Sequence, residues 1–193
     1  MRIISGEARG RTLFAPPGDQ TRPTSDKIRG SLFNILGGLV IDAEVLDLFG
    51  GTGALSLEAL SRGAARAVIA DTSRQAIEAI RRNASNVLKD ELEARALILK
   101  ADYRTAISGL GGRRFDLVFL DPPYRMLDAY ADAMERLLRA GALNEGAVIV
   151  AERKQNAEVC IPEAFEIYDS RGYGETAIDF VRLRAEEPTQ AEE

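Results

Sequence analysis

An acid, two prolines and a tyrosine end an apolar segment in the middle of the chain, VFLDPPYRM from Val118. Proline lacks a backbone N–H and fixes φ, so Asp121-Pro122-Pro123-Tyr124 cannot continue a central strand. The Asp121 carboxylate and the Pro122 carbonyl could accept both N–H groups of an exocyclic amine. The Tyr124 ring offers a face on which a flipped base could stack.

This arrangement suits methylation of an exocyclic amine on a base. Such an amine is a poor nucleophile because its lone pair is delocalised into the ring, and two fixed acceptors would aim that lone pair at a methyl donor. The chemistry requires neither a metal nor a histidine. A tight turn with an acidic cap would also explain the tetrapeptide, so the prediction depends on cofactor residues elsewhere.

A second motif, VLDLFGGTGALSLEAL from Val45, predicts a strand, a glycine-rich turn and a helix. Glycines let the backbone N–H groups of such a turn approach a ligand closely. Ser56 stands where the dinucleotide fingerprint has its third glycine, so the motif alone is weak evidence. The predicted cofactor contacts at this turn are Phe49, Gly50, Gly51 and Gly53.

Acids near the strand ends indicate which ligand the turn holds. Asp71 ends the second predicted strand, which suits a ribose diol. Asp102 follows the third strand, where it could accept from an adenine amine or cap a helix. Asp47 precedes the glycines, where it would face a positive group and repel a pyrophosphate. With Thr72 and Ala101 as neighbours, these acids favour S-adenosylmethionine over NAD.

The elements that position these residues alternate along the chain. Apolar segments of strand length are interleaved with segments of helical period between residues 43 and 152, which predicts a parallel sheet covered on both faces. Two more strands, in FEIYDSRGYGETAIDFVRLR, are joined by a glycine-rich turn and predict an antiparallel hairpin at the sheet edge. In a doubly wound sheet the fourth strand lies beside the first, which would bring Asp121 to the ligand crevice.

The front of the chain predicts a small extension. RIISGEARGRTLF indicates two short strands around a turn, followed by a helix in TRPTSDKIRGSLFNILGG. We expect the helix to begin at Thr24, Ser25 or Asp26 and to stop at Gly37-Gly38. The predicted parts of the chain are an N-terminal hairpin and helix (1–38), a catalytic domain (39–184) and an acidic flexible tail (185–193).

Composition excludes several classes of protein. The 193 residues include no histidine, one cysteine (Cys160) and 46% apolar residues. These features exclude Ser-His-Asp and Cys-His catalysis and an internal disulfide, and they predict no metal site. The longest apolar run, ILGGLVI, is too short to span a bilayer and no secretory signal is visible, so we expect a cytoplasmic protein. We also expect a monomer.

Charge is unevenly distributed. The net charge is −5, but residues 1–31 hold six basic against three acidic residues, a net +3, and four glutamates follow position 185. The N-terminal 31 residues are therefore basic, whereas the rest of the chain is acidic.

The chain resembles class I S-adenosylmethionine-dependent methyltransferases that act on exocyclic amines, through VLDLFGGTGALSLEALSRGA and DPPY. MRIISGEARGR, RPTSDKIRGSLFNIL and RGYGETAIDF narrow the resemblance to the 16S ribosomal RNA (guanine-966)-N2 methyltransferases. The likeness covers all but the acidic tail. It implies a Rossmann-like α/β fold, doubly wound, with a seven-stranded, mostly parallel sheet, an antiparallel last strand and an RNA-facing N-terminal hairpin and helix.

The resemblance also implies residue roles. Its catalytic positions fall on Asp121, Pro122 and Tyr124, and its cofactor positions on Asp47, Gly50, Gly51, Gly53, Asp71 and Asp102. The family pattern has a glutamate and, two positions later, an acid at the end of the second strand, where this chain has Asp71 and Ser73. The residues expected to contact RNA are Arg22, Thr24, Arg29, Pro123 and Arg125.

The few basic residues can neutralise few phosphates, which favours a folded loop of an assembled or partly assembled small subunit over naked RNA. Within the same chemistry, a methyltransferase acting on DNA adenine or on a protein glutamine amide is the alternative. A DNA enzyme usually needs a target-recognition domain, for which this chain has little room. From another class, a non-catalytic nucleotide-binding Rossmann module would have no need of DPPY.

Overall fold

The computed structural model describes residues 1–15 and 25–185. Seven strands form one sheet: β1 Glu44–Asp47, β2 Arg66–Asp71, β3 Ala96–Lys100, β4 Phe115–Leu120, β5 Leu143–Lys154, β6 Phe165–Tyr173 and β7 Thr176–Leu183. The helices are α1 Asp26–Leu36, α2 Ala54–Ser61, α3 Arg74–Leu88, α4 Leu92–Arg95, α5 Tyr103–Ser108 and α6 Asp128–Arg139, with 3-10 turns at Gly37–Val40 and Lys89–Glu91.

The strand order is β3-β2-β1-β4-β5-β7-β6. Strands β1 to β5 pair in parallel, whereas β7 lies antiparallel between β5 and β6. The short turn between β6 and β7 explains this edge, because antiparallel neighbours need no crossover helix. The predicted α/β architecture, with its antiparallel last strand and edge hairpin, is confirmed.

Helices cover both faces of the sheet. On one face α1, α2 and α3 pack with residues such as Val45 and Phe119, and on the other α5 and α6 pack with Leu46 and Val118. Successive strand residues point to opposite faces, so each apolar strand supplies both cores. The carboxyl ends of β1 and β4 therefore lie side by side, where the predicted site residues follow.

The N-terminal segment is part of the first core rather than a free arm. Ile3, Ala8 and Leu13 are buried in the same apolar cluster as the sheet. The two strands predicted here are reduced to one antiparallel bridge, between Arg2 and Thr12. Backbone hydrogen bonds join its two arms, from the Ile3 N–H to the Arg11 carbonyl and from the Leu13 N–H to the Met1 carbonyl. The N–H groups of Ile4 and Ser5 donate to the Glu58 carboxylate of α2.

Helix α1 starts where the capping pattern predicts. Ser25 is its N-cap, and the Ser25 hydroxyl accepts a hydrogen bond from the Ile28 N–H at 3.2 Å. Gly37 ends the helix with φ of +51°, a left-handed conformation that glycine tolerates best. Within 1–15 and 25–185, no helix is long and apolar enough to cross a membrane.

Candidate active site

Asp47 lies at the end of β1 beneath the glycine turn. Its side chain is 3% exposed and accepts hydrogen bonds from the Phe49 N–H at 3.3 Å and from the Ser56 hydroxyl at 2.9 Å. Burial outweighs these bonds and raises the pKa of Asp47 to about 7. A cation beside this carboxylate would favour its ionised form, as expected for a residue that faces a positive ligand group.

The glycine turn requires glycine at each of the three predicted positions. A Cβ on Gly50 would lie 2.6 Å from a methyl of Ile69, so only glycine allows this close approach to β2. Gly51 and Gly53 have φ of +56° and +77°, the left-handed region. Among the described residues, no side chain caps the N-terminus of α2 that follows. The first-turn N–H groups are thus available to an anionic ligand group.

Asp71 joins the glycine turn to the end of β2. One carboxylate oxygen accepts from the Gly51 N–H at 2.9 Å, and the other from the Ser73 N–H at 2.8 Å. Ser73 is the N-cap of α3, and its hydroxyl accepts from the Ala76 N–H. Ser73 therefore supplies a helix cap where the family pattern has an acid, and Asp71 lies beside the glycine turn.

Asp102 follows β3 and caps α5. Its carboxylate accepts from the backbone N–H groups of Arg104 and Thr105, at 2.9 and 3.0 Å, and from the Thr105 hydroxyl. These bonds lower the pKa of Asp102. Of the two roles considered for Asp102, the cap is present in the structure and contact with adenine stays a prediction. The neighbouring Tyr103 ring packs against Phe49, with centroids 5.5 Å apart, and brings β3 toward the glycine turn.

Asp121 follows β4 and lies beside Glu152 on β5. The two strands pair in register with Leu120 opposite Ala151, so the next residues of both strands are neighbours on the same face of the sheet. Asp47 lies opposite Phe119, two residues before Asp121, and so points to this face as well. Burial, followed by the charges of Glu152 and Asp47, raises the pKa of Asp121 well above its ordinary value.

The rest of the tetrapeptide turns outward. Pro122 is buried, whereas Pro123, Tyr124 and Arg125 are exposed. The Pro123 carbonyl accepts from the Met126 N–H at 2.7 Å, which closes a turn before α6. These three exposed residues are therefore accessible to a large substrate.

Tyr124 presents an open ring at the mouth of the site. The residue is 39% exposed, and the Lys154 ammonium lies 5.1 Å from its ring centroid. The cation holds one side of the ring by a cation–π interaction. Such an exposed, oriented ring fits the predicted role as a stacking platform.

Arg29, which was expected to grip RNA, is completely buried, and that expectation is wrong. Its guanidinium donates to the Arg2 carbonyl and to the Asp26 carboxylate, and it lies 3.7 Å from the Glu58 carboxylate. Glu58 also accepts from the Ile4 N–H, so Arg29 ties the N-terminal segment to α2. Because the side chain is fully buried, Arg29 has a structural place in the fold and is not exposed to RNA. Arg22 and Thr24 lie outside the described residues.

Sequence reasoning missed three residues around the site. Glu152 and Lys154 lie on β5, where the acid at the end of GAVIVAE was the same kind of signal as Asp71 and Asp121. Asn83 on α3 is 1% exposed; its amide donates to the Thr52 and Phe14 carbonyls, each at 2.9 Å. Nothing in the local pattern of α3 marks this link between the glycine turn and the N-terminal segment.

The geometry brings together Asp47, Asp71, the glycine turn, Asp121 and Tyr124 at the carboxyl ends of β1, β2 and β4. Among residues 1–15 and 25–185, no group of three or more acidic or cysteine side chains is arranged to hold a metal ion. The site combines carboxylates, backbone N–H groups and one exposed aromatic ring. That set suits a cationic, ribose-bearing ligand and an amine substrate.

Comparison with known proteins finds relatives that match most of this chain. The model of a family described as "Conserved hypothetical protein 95" matches residues 1–182. The chain is 37% identical to the putative rRNA methyltransferase YlbH of Bacillus subtilis, over 82% of this chain and 85% of that protein. It is 32% identical to ribosomal RNA small subunit methyltransferase D of Escherichia coli, over 100% and 94% of the two chains.

A solved structure supports the same fold. It is described as the putative methyltransferase yhhF from Escherichia coli, with a TM-score of 0.82 and 31% identity over 96% of this chain and 98% of that one.

Proposed function

The chain belongs to the family described as "Conserved hypothetical protein 95", and from this premise we propose that it is an S-adenosylmethionine-dependent ribosomal RNA methyltransferase. The amine we assign as methyl acceptor is N2 of a guanine in the 16S RNA of the small subunit. The observation that carries the proposal is Asp121-Pro122-Pro123-Tyr124 at the tip of β4, directly beside the strand that leads into the glycine turn. Relatives named as rRNA methyltransferases over almost the full chain support the reaction class.

The residues fit the cofactor. The carboxylate of the cofactor suits the uncapped start of α2 and the turn formed by the left-handed Gly51 and Gly53. Asp71 suits the ribose diol of the cofactor, and the buried Asp47 suits its positive group. Phe49, Gly50, Thr72, Ala101 and Asp102 complete the set that we assign to cofactor binding. When bound, S-adenosylmethionine supplies an electrophilic methyl group on a positively charged sulfur.

The chain's own part in the reaction is to present the amine. The Asp121 carboxylate and the Pro122 carbonyl accept its two N–H groups, which leaves the nitrogen lone pair free to point at the methyl group. The flipped base stacks on Tyr124, beside Pro123 and Arg125. The surplus proton leaves to water after transfer. Because these groups are fixed by the prolines and the sheet, little reorganisation is required.

The N-terminal part, residues 1–38, contributes to RNA binding in this proposal. Arg2, Arg9 and Lys27 are exposed on it and can contact phosphates, and Arg22 and Thr24 remain candidates. Few phosphate contacts give weak binding to naked RNA. The substrate is therefore a loop shaped by the assembled or partly assembled small subunit, and the enzyme acts as a monomer. Residues 185–193 remain predicted as an acidic tail.

Mass mapping of ribosomal RNA in a deletion strain tests the proposed reaction. We expect one N2-methylguanine of 16S RNA to disappear, to return with the intact gene, and to stay absent with Asp121→Ala. An unchanged 16S RNA, with a new change in DNA or in a protein glutamine, would replace this function with the alternative chemistry.

The state of the substrate is tested separately. Tritium-labelled methyl transfer is compared between deproteinised 16S RNA and small subunits, both from the deletion strain. We expect faster transfer to the subunits. Equal or faster transfer to naked RNA would remove the assembled subunit as the preferred substrate.

A further inference from the structure

Glu152 is a carboxylate next to the proposed amine-binding group, and the proposed function gives it no role. It is 7% exposed on β5, beside Asp121 and on the same face of the sheet. Its backbone carbonyl accepts a hydrogen bond from the Tyr130 hydroxyl of α6, which fixes this point of the strand. The site therefore contains two adjacent acceptors that belong to different strands and are held by the sheet.

Two neighbouring carboxylates repel each other when both are ionised, and hydrogen-bond donors placed beside them reduce this repulsion. Burial and the charge of Glu152 both oppose ionisation of Asp121. A ligand edge with adjacent N–H donors would relieve this repulsion. Among the bases, guanine carries N1–H next to the N2 amine, whereas adenine and cytosine have an acceptor nitrogen next to their amine. The acceptor nitrogen of adenine or cytosine would be repelled by the carboxylate of Glu152 at this position.

We propose that Glu152 accepts the N1–H of the target base while Asp121 accepts from its N2 amine, so that the pair selects guanine. This inference rests on the proposed function and names the residue that sets its base specificity. Glu152 contacts the substrate but not the transferred methyl group. Its substitution should therefore change the choice of base more than the binding of the cofactor.

The test uses small-subunit RNA in which the methylated guanine, once mapped, is replaced by 2-aminopurine and reassembled with ribosomal proteins. This base keeps the C2 amine but has an acceptor at N1. We expect the wild-type enzyme to prefer guanine by about tenfold to a hundredfold in kcat/KM, as for one hydrogen bond to a charged group. In Glu152→Gln the amide can donate to N1, so this preference should fall at least about tenfold.

A matched control is available on the same strand. Glu145 is exposed at the opposite end of β5, and Glu145→Gln should keep the wild-type preference. If Glu152→Gln keeps the wild-type preference for guanine over 2-aminopurine, the proposal is overturned, because Glu152 would then not contribute to recognition of the base. If the wild-type enzyme methylates no guanine at all, the proposed function fails instead.

Loss of all transfer in Glu152→Gln would not end the test. The same two RNAs are then compared in competition for enzyme saturated with S-adenosylhomocysteine, by filter binding. A preference for guanine that disappears in the variant supports the assignment, and a retained preference contradicts it.

Discussion

The Asp71 carboxylate accepts a hydrogen bond from the Gly51 N–H, with 2.9 Å between oxygen and nitrogen. The residue thus connects the end of β2 with the turn at the end of β1. A carboxylate that both shapes this turn and faces a ribose would affect the cofactor site in two ways. Removing the Asp71 carboxylate should therefore lower the affinity for the cofactor and leave the stability of the fold nearly unchanged.

We expect Asp71→Ala to weaken S-adenosylmethionine binding at least about tenfold, since a hydrogen bond to a charged group contributes about 1.5–3 kcal/mol. Isothermal calorimetry measures the affinity. Asp90→Ala, at an exposed position of the 3-10 turn after α3, serves as the control and should bind normally. Unchanged affinity in Asp71→Ala would remove this residue from the site.

Cofactor affinity should depend on pH through Asp47. Burial raises the pKa of this group to about 7, and a cationic ligand binds best to the ionised form. The contribution of Asp47 to cofactor affinity is therefore present above about pH 7. It is lost as the pH falls below that value, by up to about tenfold per pH unit. Calorimetry at about pH 6 and about pH 8 measures the change. Asp47→Asn should show a flat profile, and a flat wild-type profile would contradict the assignment.

Asp121→Ala should abolish methyl transfer and leave cofactor affinity within a few-fold, because the proposed mechanism assigns Asp121 to the amine and not to the adenosine. Single-turnover transfer to small subunits measures the first effect and calorimetry the second. Turnover near the wild-type rate would exclude the proposed mechanism.

Tyr124 offers a test with a closely matched control. Tyr124→Phe keeps the stacking face and should retain most activity, whereas Tyr124→Ala should lose about 1–3 kcal/mol, or about fivefold to 150-fold in kcat/KM. Tyr168 is also 39% exposed, with the Arg182 guanidinium 5.1 Å from its ring. Equal losses in Tyr168→Ala and Tyr124→Ala would point to a general surface effect instead of stacking.

Arg29→Ala should destabilise the fold rather than weaken RNA binding directly. Removing the guanidinium leaves the buried Glu58 carboxylate with less compensation, and breaking a buried pair costs about 3–5 kcal/mol. Urea unfolding followed by circular dichroism measures the decrease in the free energy of unfolding. Lys27→Ala, exposed on the same helix, is the control. A loss below about 1 kcal/mol would show that the pair is not structurally important.

Much of the fold was predictable from the sequence because its signals are local. Apolar segments of strand length between amphipathic helices indicate a parallel sheet, and the glycines and prolines mark where strands must end. The acids at or just after the ends of these strands, such as Asp71 and Asp121, had to lie along one edge of the sheet, since parallel strands share their carboxyl ends.

The remaining features depend on contacts between distant segments. From the sequence, Arg29 is expected on the exposed face of an amphipathic helix, but in the structure it is buried between Glu58 of α2 and the N-terminal segment. The place of Glu152 beside Asp121 depends on the register of β4 and β5, where a shift of one residue would turn its side chain to the other face. Local sequence determined which residues could do chemistry here; the pairing of strands and the burial of charges decided which of them meet.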